Sequence, residues 1–127
     1  MTTPDALVRR YMERCNTASA AEIATCFVDD AVIYDLNHPP VRGASEIGAF
    51  WVKVRQRWRG ATWTVVDLVV DGERVAMEWT MTGHCDGTDL EFRGADIVAT
   101  SGGRITEIHQ YWSYRPETGS TLVGYGS

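Results

Sequence analysis

The sequence has no apolar run long enough to cross a membrane as a helix, and its first residues, Met1 to Asp5, are polar. Neither a signal peptide nor a membrane partner is expected. Cysteine is scarce. Cys15, Cys26 and Cys85 are odd in number and lack C-x-x-C spacing. That argues against a disulfide frame or a zinc site and points to thiols in a reducing compartment, by default the cytoplasm. Basic clusters are also missing. The 12 Lys and Arg are scattered among 17 Asp and Glu, for a net charge of −5, which argues against nucleic acid or an anionic surface as partner. His38, His84 and His109 form no H-x-H, H-E-x-x-H or Cys-His pattern, so no metal is expected. A phosphate loop, a dinucleotide fingerprint and a nucleophile elbow are all lacking, and no cofactor is expected.

What is present is a chain able to bury an ordinary core. Its 127 residues are 44% hydrophobic and 23% charged, which suits one domain over residues 1–127. Thr3-Pro4-Asp5 reads as an N-cap, a proline at the first helical position and an acid in the first turn. Leu7, Val8, Tyr11, Met12 and Cys15 then share one helical face, so Tyr11 points to the core side. Ser19-Ala20-Ala21-Glu22 is a capping box opening a second helix to about Phe27. Ala31 to Asp35 reads as a short strand, and Pro39-Pro40 is expected to break regular structure. A third helix from Ala44 or Ser45 carries the stripe Ile47, Phe50, Trp51, Val54 and Trp58.

Beyond Gly60 the pattern turns to strands. Ala61 to Val70 is rich in β-branched residues, and Asp71-Gly72 is a hairpin signal. Glu73 to Cys85 alternates, with Val75, Met77, Trp79 and Met81 on one face and Glu78, Thr80, Thr82 and His84 on the other. Asp86-Gly87 and Ser101-Gly102-Gly103 mark further turns, between which Leu90 to Thr100 forms a strand. The last strand is expected over Arg104 to Tyr114, followed by a flexible tail over 116–127. Three N-terminal helices and a long meander predict an α+β fold whose strongly curved, mostly antiparallel sheet encloses a cavity.

Asp96 stands out chemically. It lies in Phe92-Arg93-Gly94-Ala95-Asp96-Ile97-Val98, a setting that buries side chains. A buried carboxylate needs a partner, hydrogen bonds or a raised pKa. Backbone donors or an arginine are the plain alternatives to a functional acid, although Arg93 belongs to the opposite face.

The order helix, helix, strand, Gly-initiated helix and meander, ending in Gly-Gly-Arg-Ile-Thr-Glu-Ile-x-x-Tyr-Trp, resembles the nuclear-transport-factor-2-like superfamily. With Val41-Arg42-Gly43-Ala44 it is most similar to the ketosteroid-isomerase and SnoaL-like polyketide-cyclase group, over about residues 5 to 114. The resemblance implies a cone-shaped α+β barrel. It also implies roles for Tyr11, in Arg10-Tyr11-x-x-x-x-Asn16; for Asp35, just after Asp29-Asp30-Ala31; and for Asp96, before the Gly-Arg-Ile turn. Asp35 would remove a proton beside a carbonyl, and Tyr11 with a neutral Asp96 would stabilise the enolate. Trp51 stands where the family often supports its helix tyrosine with another tyrosine.

If Asp96 faces inward, so do Leu90, Phe92, Gly94 and Val98. The same alignment brings in Glu78, Thr80, Thr82 and His84 from the neighbouring strand, and Ile108, Gln110 and Trp112 from the last. The expected binding set is Trp51, Trp63, Glu78, Thr80, Phe92, Ile108, Gln110 and Trp112, with His84 as an auxiliary catalytic group. This polar wall suits a small or medium oxygenated molecule, acted on by isomerisation or cyclisation. Met77, Trp79 and Met81 then need cover, which a homodimer through the convex sheet face would supply. Other roles stay open: Asp35 as a turn former, Tyr11 as a core residue, His84 as a solvated side chain, and His38 as a loop residue at the cavity rim. A dehydratase centred on His84, an epoxide hydrolase and a non-catalytic binding domain are the alternative functions.

Overall fold

The computed structural model describes residues 2–112. The expected tail over 116–127 lies outside the described residues. Helix α1 (Pro4–Thr17) starts where the Thr3 hydroxyl accepts from the Ala6 N–H, with Pro4 in the first turn. Its buried stripe is Leu7, Val8, Tyr11, Met12 and Cys15. Helix α2 (Ala20–Ala24) opens with the Ser19/Glu22 capping box and is shorter than expected, because Phe27 already begins strand β1 (Phe27–Asp35). Strand β2 (His38–Arg42) runs through Pro39-Pro40, where a break was expected. It is an edge strand paired with β1 alone, and an edge tolerates prolines that donate nothing to the ladder. Helix α3 (Ala44–Arg57) follows.

Strands β3 (Arg59–Asp71), β4 (Arg74–Cys85), β5 (Thr88–Ser101) and β6 (Arg104–Trp112) complete a six-stranded sheet of order β2-β1-β6-β5-β4-β3. Only β1 and β6 run parallel; the other neighbours are antiparallel. The sheet curls into an open cone with β2 and β3 as its edge strands among the described residues. The fold is the expected α+β arrangement, helices α1 and α3 packed against a curved sheet.

The expected orientation of β4 is reversed. Asp86-Gly87 is a two-residue turn with both φ angles positive, 52° and 79°, so Cys85 pairs with Thr88. That register places Met77 opposite Asp96, Trp79 opposite Gly94 and Met81 opposite Phe92. Directly paired residues share a face, so Val75, Met77, Trp79 and Met81 enter the cone, and all four are buried. Glu78, Thr80, Thr82 and His84 belong to the outer face. Glu78 makes an ion pair there with Arg93 at 3.7 Å. Met77, Trp79 and Met81 therefore need no partner subunit to cover them. A bulge between Val65 and Asp67 shifts the β3 register and pairs Trp63 with Met81, which turns Trp63 inward.

Candidate active site

The cone encloses a cavity of about 220 Å³. Trp51, Trp58, Trp63, Trp79 and Trp112 line it with Phe50, Val54 and Met81. Its polar lining is Asp35, His38, Arg57 and Gln110. Asn16 at the end of α1 fixes Trp63 by accepting from its backbone N–H at 2.7 Å and donating to its carbonyl at 3.0 Å.

Asp35 ends β1, and its carboxylate is only 2% exposed. One oxygen, Oδ1, accepts from the Asn37 backbone N–H at 2.7 Å and the Asn37 amide at 3.2 Å. This is the turn-forming role, present alongside the cavity position. The other oxygen, Oδ2, accepts from the Trp112 indole at 2.7 Å and lies 3.6 Å from His38 Nε2. The His38 ring is held by Nδ1 against the Pro39 carbonyl at 2.8 Å and packs against Phe50.

Asp96 sits deeper, 1% exposed, with Oδ1 accepting from the Trp79 indole at 2.8 Å. Burial pushes its pKa up to about 7; the Trp79 bond opposes the rise, the Asp35 charge adds to it, and the Gln110 side chain opposes it. Gln110 pairs directly with Asp96 across β5 and β6, and its Oε1 is buried without a donor. A protonated Asp96 can supply that donor once the amide turns over. Tyr11 is 1% exposed and its ring meets Phe27 edge-on. Burial above all, then the nearby Cys15 and Asp96, raises its pKa well above normal, so it remains a neutral O–H.

The structure thus brings Tyr11, Asp96 and Asp35 into one electrostatic group. Asp35 lies in the cavity wall, whereas Tyr11 and Asp96 stand behind the lining. The Trp51 indole N–H faces the Tyr11 hydroxyl outside full hydrogen-bond geometry. Of the expected binding residues, Trp51, Trp63, Gln110 and Trp112 line the cavity. Phe92 and Ile108 are buried on the inner face behind it, Phe92 packing edge-on against Trp58 and Trp112.

Glu78, Thr80 and His84 do not reach the cavity, for the register reason given above. His84 lies in an open groove, tied to Asp89 at 2.9 Å. Trp79, Met81, Trp58 and Arg57 are cavity residues that the sequence reading did not assign. The two-residue length of the Asp86-Gly87 turn was the available signal for Trp79 and Met81. The wall is aromatic, not polar as expected.

Residues 8–108 match the family model of the SnoaL-like domain. The chain belongs to the SnoaL-like domain family. Its fold is shared by a Methylobium petroleophilum PM1 protein of unknown function with a cystatin-like fold. That protein is 28% identical, with 97% of this chain and 89% of that one covered and a TM-score of 0.78. A Catenulispora acidiphila protein with a ketosteroid isomerase-like fold, solved in complex with trimethylamine, is 22% identical over 88% of each chain, with a TM-score of 0.79. A Jannaschia sp. CCS1 protein proposed to be a SnoaL-like polyketide cyclase is 13% identical over 87% of this chain and 85% of that one, with a TM-score of 0.76. No curated protein matches the chain. Among the described residues of this SnoaL-like chain, no helix is long and apolar enough to cross a membrane, and no group of three metal-ligating side chains forms.

Proposed function

We propose that this SnoaL-like protein is a cofactor-independent acid–base enzyme that forms an enolate from a small carbonyl compound, leading to isomerisation or cyclisation. Membership of a fold family of small-molecule cyclases and isomerases supports the general reading. One observation carries it further: two carboxylates of unlike environment share one site. Asp35 sits in the cavity wall among hydrogen-bond donors, and Asp96 lies behind it with its pKa raised to about 7 by burial. That difference suits one group to take a proton while the other stays protonated. In this reading Asp35 removes a proton beside the carbonyl. Gln110 and Trp51, backed by Asp96 and Tyr11, steady the developing oxyanion. Asp35 then returns the proton elsewhere. A small-molecule substrate, a cytoplasmic setting and a homodimer through the convex face are part of the same proposal. The exposed Val66 and Val69 on β3 are apolar surface for such a contact.

The test uses 2-naphthol, an enolate mimic, titrated against wild type, Asp35→Asn, Asp96→Asn and Tyr11→Phe. Tighter binding to Asp35→Asn, with binding to the other two weakened roughly tenfold or more, supports the reading. Affinity indifferent to all three changes removes the proton-transfer assignment.

A further inference from the structure

We propose that the cavity is selective for a small organic cation, a tertiary or quaternary ammonium group carried by the ligand. This rests on the reading above that the cavity is the ligand site, and it names the substrate class.

Every tryptophan of the chain, five in all, lines this one cavity. Tryptophan offers the strongest aromatic face to a cation. The rings are packed at steep angles: Trp51 and Trp63 at 79° with centroids 5.3 Å apart, Trp79 and Trp112 at 61° and 6.2 Å. Such angles turn neighbouring faces in different directions and make a box. A box fits a rounded alkylammonium head better than a flat ring, which wants two parallel faces. The Trp79 and Trp112 N–H groups are both given to carboxylates. At Trp112, donation to the Asp35 anion pushes electron density into the indole and deepens its negative face.

Charge distinguishes a cation from a neutral ligand of the same shape. The buried Asp35 carboxylate is held by the Asn37 backbone N–H, the Asn37 amide and the Trp112 indole, all of them neutral donors. The Gln110 Oε1 atom is buried in the wall without a donor. Arg57 reaches the rim but is largely exposed, its guanidinium 3.8 Å from Asp86 outside. His38, 3.6 Å from Asp35, is the remaining titratable group of the lining, and Asp96 is a second acid behind it. With His38 neutral, the interior carries negative charge and negative π-faces, and among the described residues Arg57 is the one cation of the lining, turned outward. A positive ligand completes it. At about 220 Å³ the cavity is smaller than the ~300 Å³ and upward of drug-sized sites, so the ligand is only a few carbons larger than the ammonium head. An ammonium beside the carbonyl would also add to the stabilisation that Gln110 and Trp51 give the enolate.

Calorimetry at pH 8 tests this with choline and its uncharged isostere 3,3-dimethylbutan-1-ol, tryptophan emission serving as a second readout. Choline is expected to bind about tenfold or more tightly than the isostere, the scale of a desolvated cation–π contact. Asp35→Asn, checked for folding by circular dichroism, should shrink that preference severalfold. Equal or tighter binding of the isostere overturns the proposal. So does absence of both ligands while 2-naphthol still binds, which leaves the cavity reading standing. Failure of all three probes overturns both.

Discussion

The indole of Trp79 lies over Gly94 and donates to Asp96 Oδ1 at 2.8 Å, so one side chain both fills the inner face and anchors the buried acid. A Cβ on Gly94 would stand 2.4 Å from Trp79 Cζ2, and the ring is buried, so it cannot move freely aside. Gly94→Ala should therefore cost about 1–3 kcal/mol by overpacking, measured by urea unfolding. It should also drive the Asp96 pKa above about 7, because the lost Trp79 bond is the larger of the two contacts that oppose the rise. Carboxyl carbon NMR reads that shift. An unchanged Asp96 titration in a stably folded Gly94→Ala would contradict the link.

Asp96 also makes stability depend on pH. Its folded pKa, about 7, lies above the ordinary aspartate value of 3.8 that holds in the unfolded chain. Between those values the folded state holds a proton that the unfolded state has released, so stability falls as pH rises from about 4 to about 7. The whole effect is on the order of 4 kcal/mol. Asp96→Asn cannot titrate. Relative to wild type it should gain stability over that window, and denaturation midpoints at pH 4.5 and pH 7.5 compare the two. Parallel pH profiles would mean that Asp96 is ionised throughout.

Much of this architecture is legible in the residues. The Thr3-Pro4 start, the Ser19/Glu22 box and the Gly turns set the element order, and Leu7 to Cys15 set the buried face of α1. The face assignment of β4 is where a residue-by-residue reading and the structure part. Placing polar Glu78, Thr80 and His84 inward contradicted two local signals: the apolar alternation of Val75 to Met81, and a two-residue turn that pairs odd positions of β4 with even positions of β5. The bulge after Val65 and the strand through Pro39-Pro40 depend on pairing partners far along the chain, which local periodicity does not report. Tyr11, Asp35 and Asp96 come together although distant in sequence. Their grouping followed from a family resemblance, while the aromatic cage around Asp35 emerges only from the register.

Among the described residues, Trp112 supplies the one N–H hydrogen-bonded to Asp35 Oδ2. Trp112→Phe keeps most of the ring volume and removes that donor from a carboxylate that is 2% exposed. Stability should drop by about 1–3 kcal/mol, the cost of stranding a buried acceptor. Choline affinity should fall as well, since phenylalanine offers a cation a weaker face than tryptophan. Urea unfolding and choline calorimetry read the two effects, and an unchanged choline affinity would place Trp112 outside the ligand's reach.

His38 decides whether the cavity holds one proton acceptor or two. Its Nδ1 lies 2.8 Å from the Pro39 carbonyl, which can only accept, so the neutral ring carries its proton on Nδ1. Nε2 is then a lone pair aimed at the cavity beside Asp35 Oδ2. In the proposed reaction, a proton taken up by Asp35 would have a second acceptor within 3.6 Å. Long-range proton–nitrogen NMR distinguishes the tautomers directly. His109, whose Nε2 faces Glu107 at 2.8 Å, provides a contrast of opposite sense, with its neutral proton expected on Nε2. The Nδ1–H form at His38 should persist in Asp35→Asn, since Pro39 and not Asp35 selects it. An Nε2–H form would turn His38 into a donor that merely orients Asp35, and would leave Asp35 as the only base in the cavity wall.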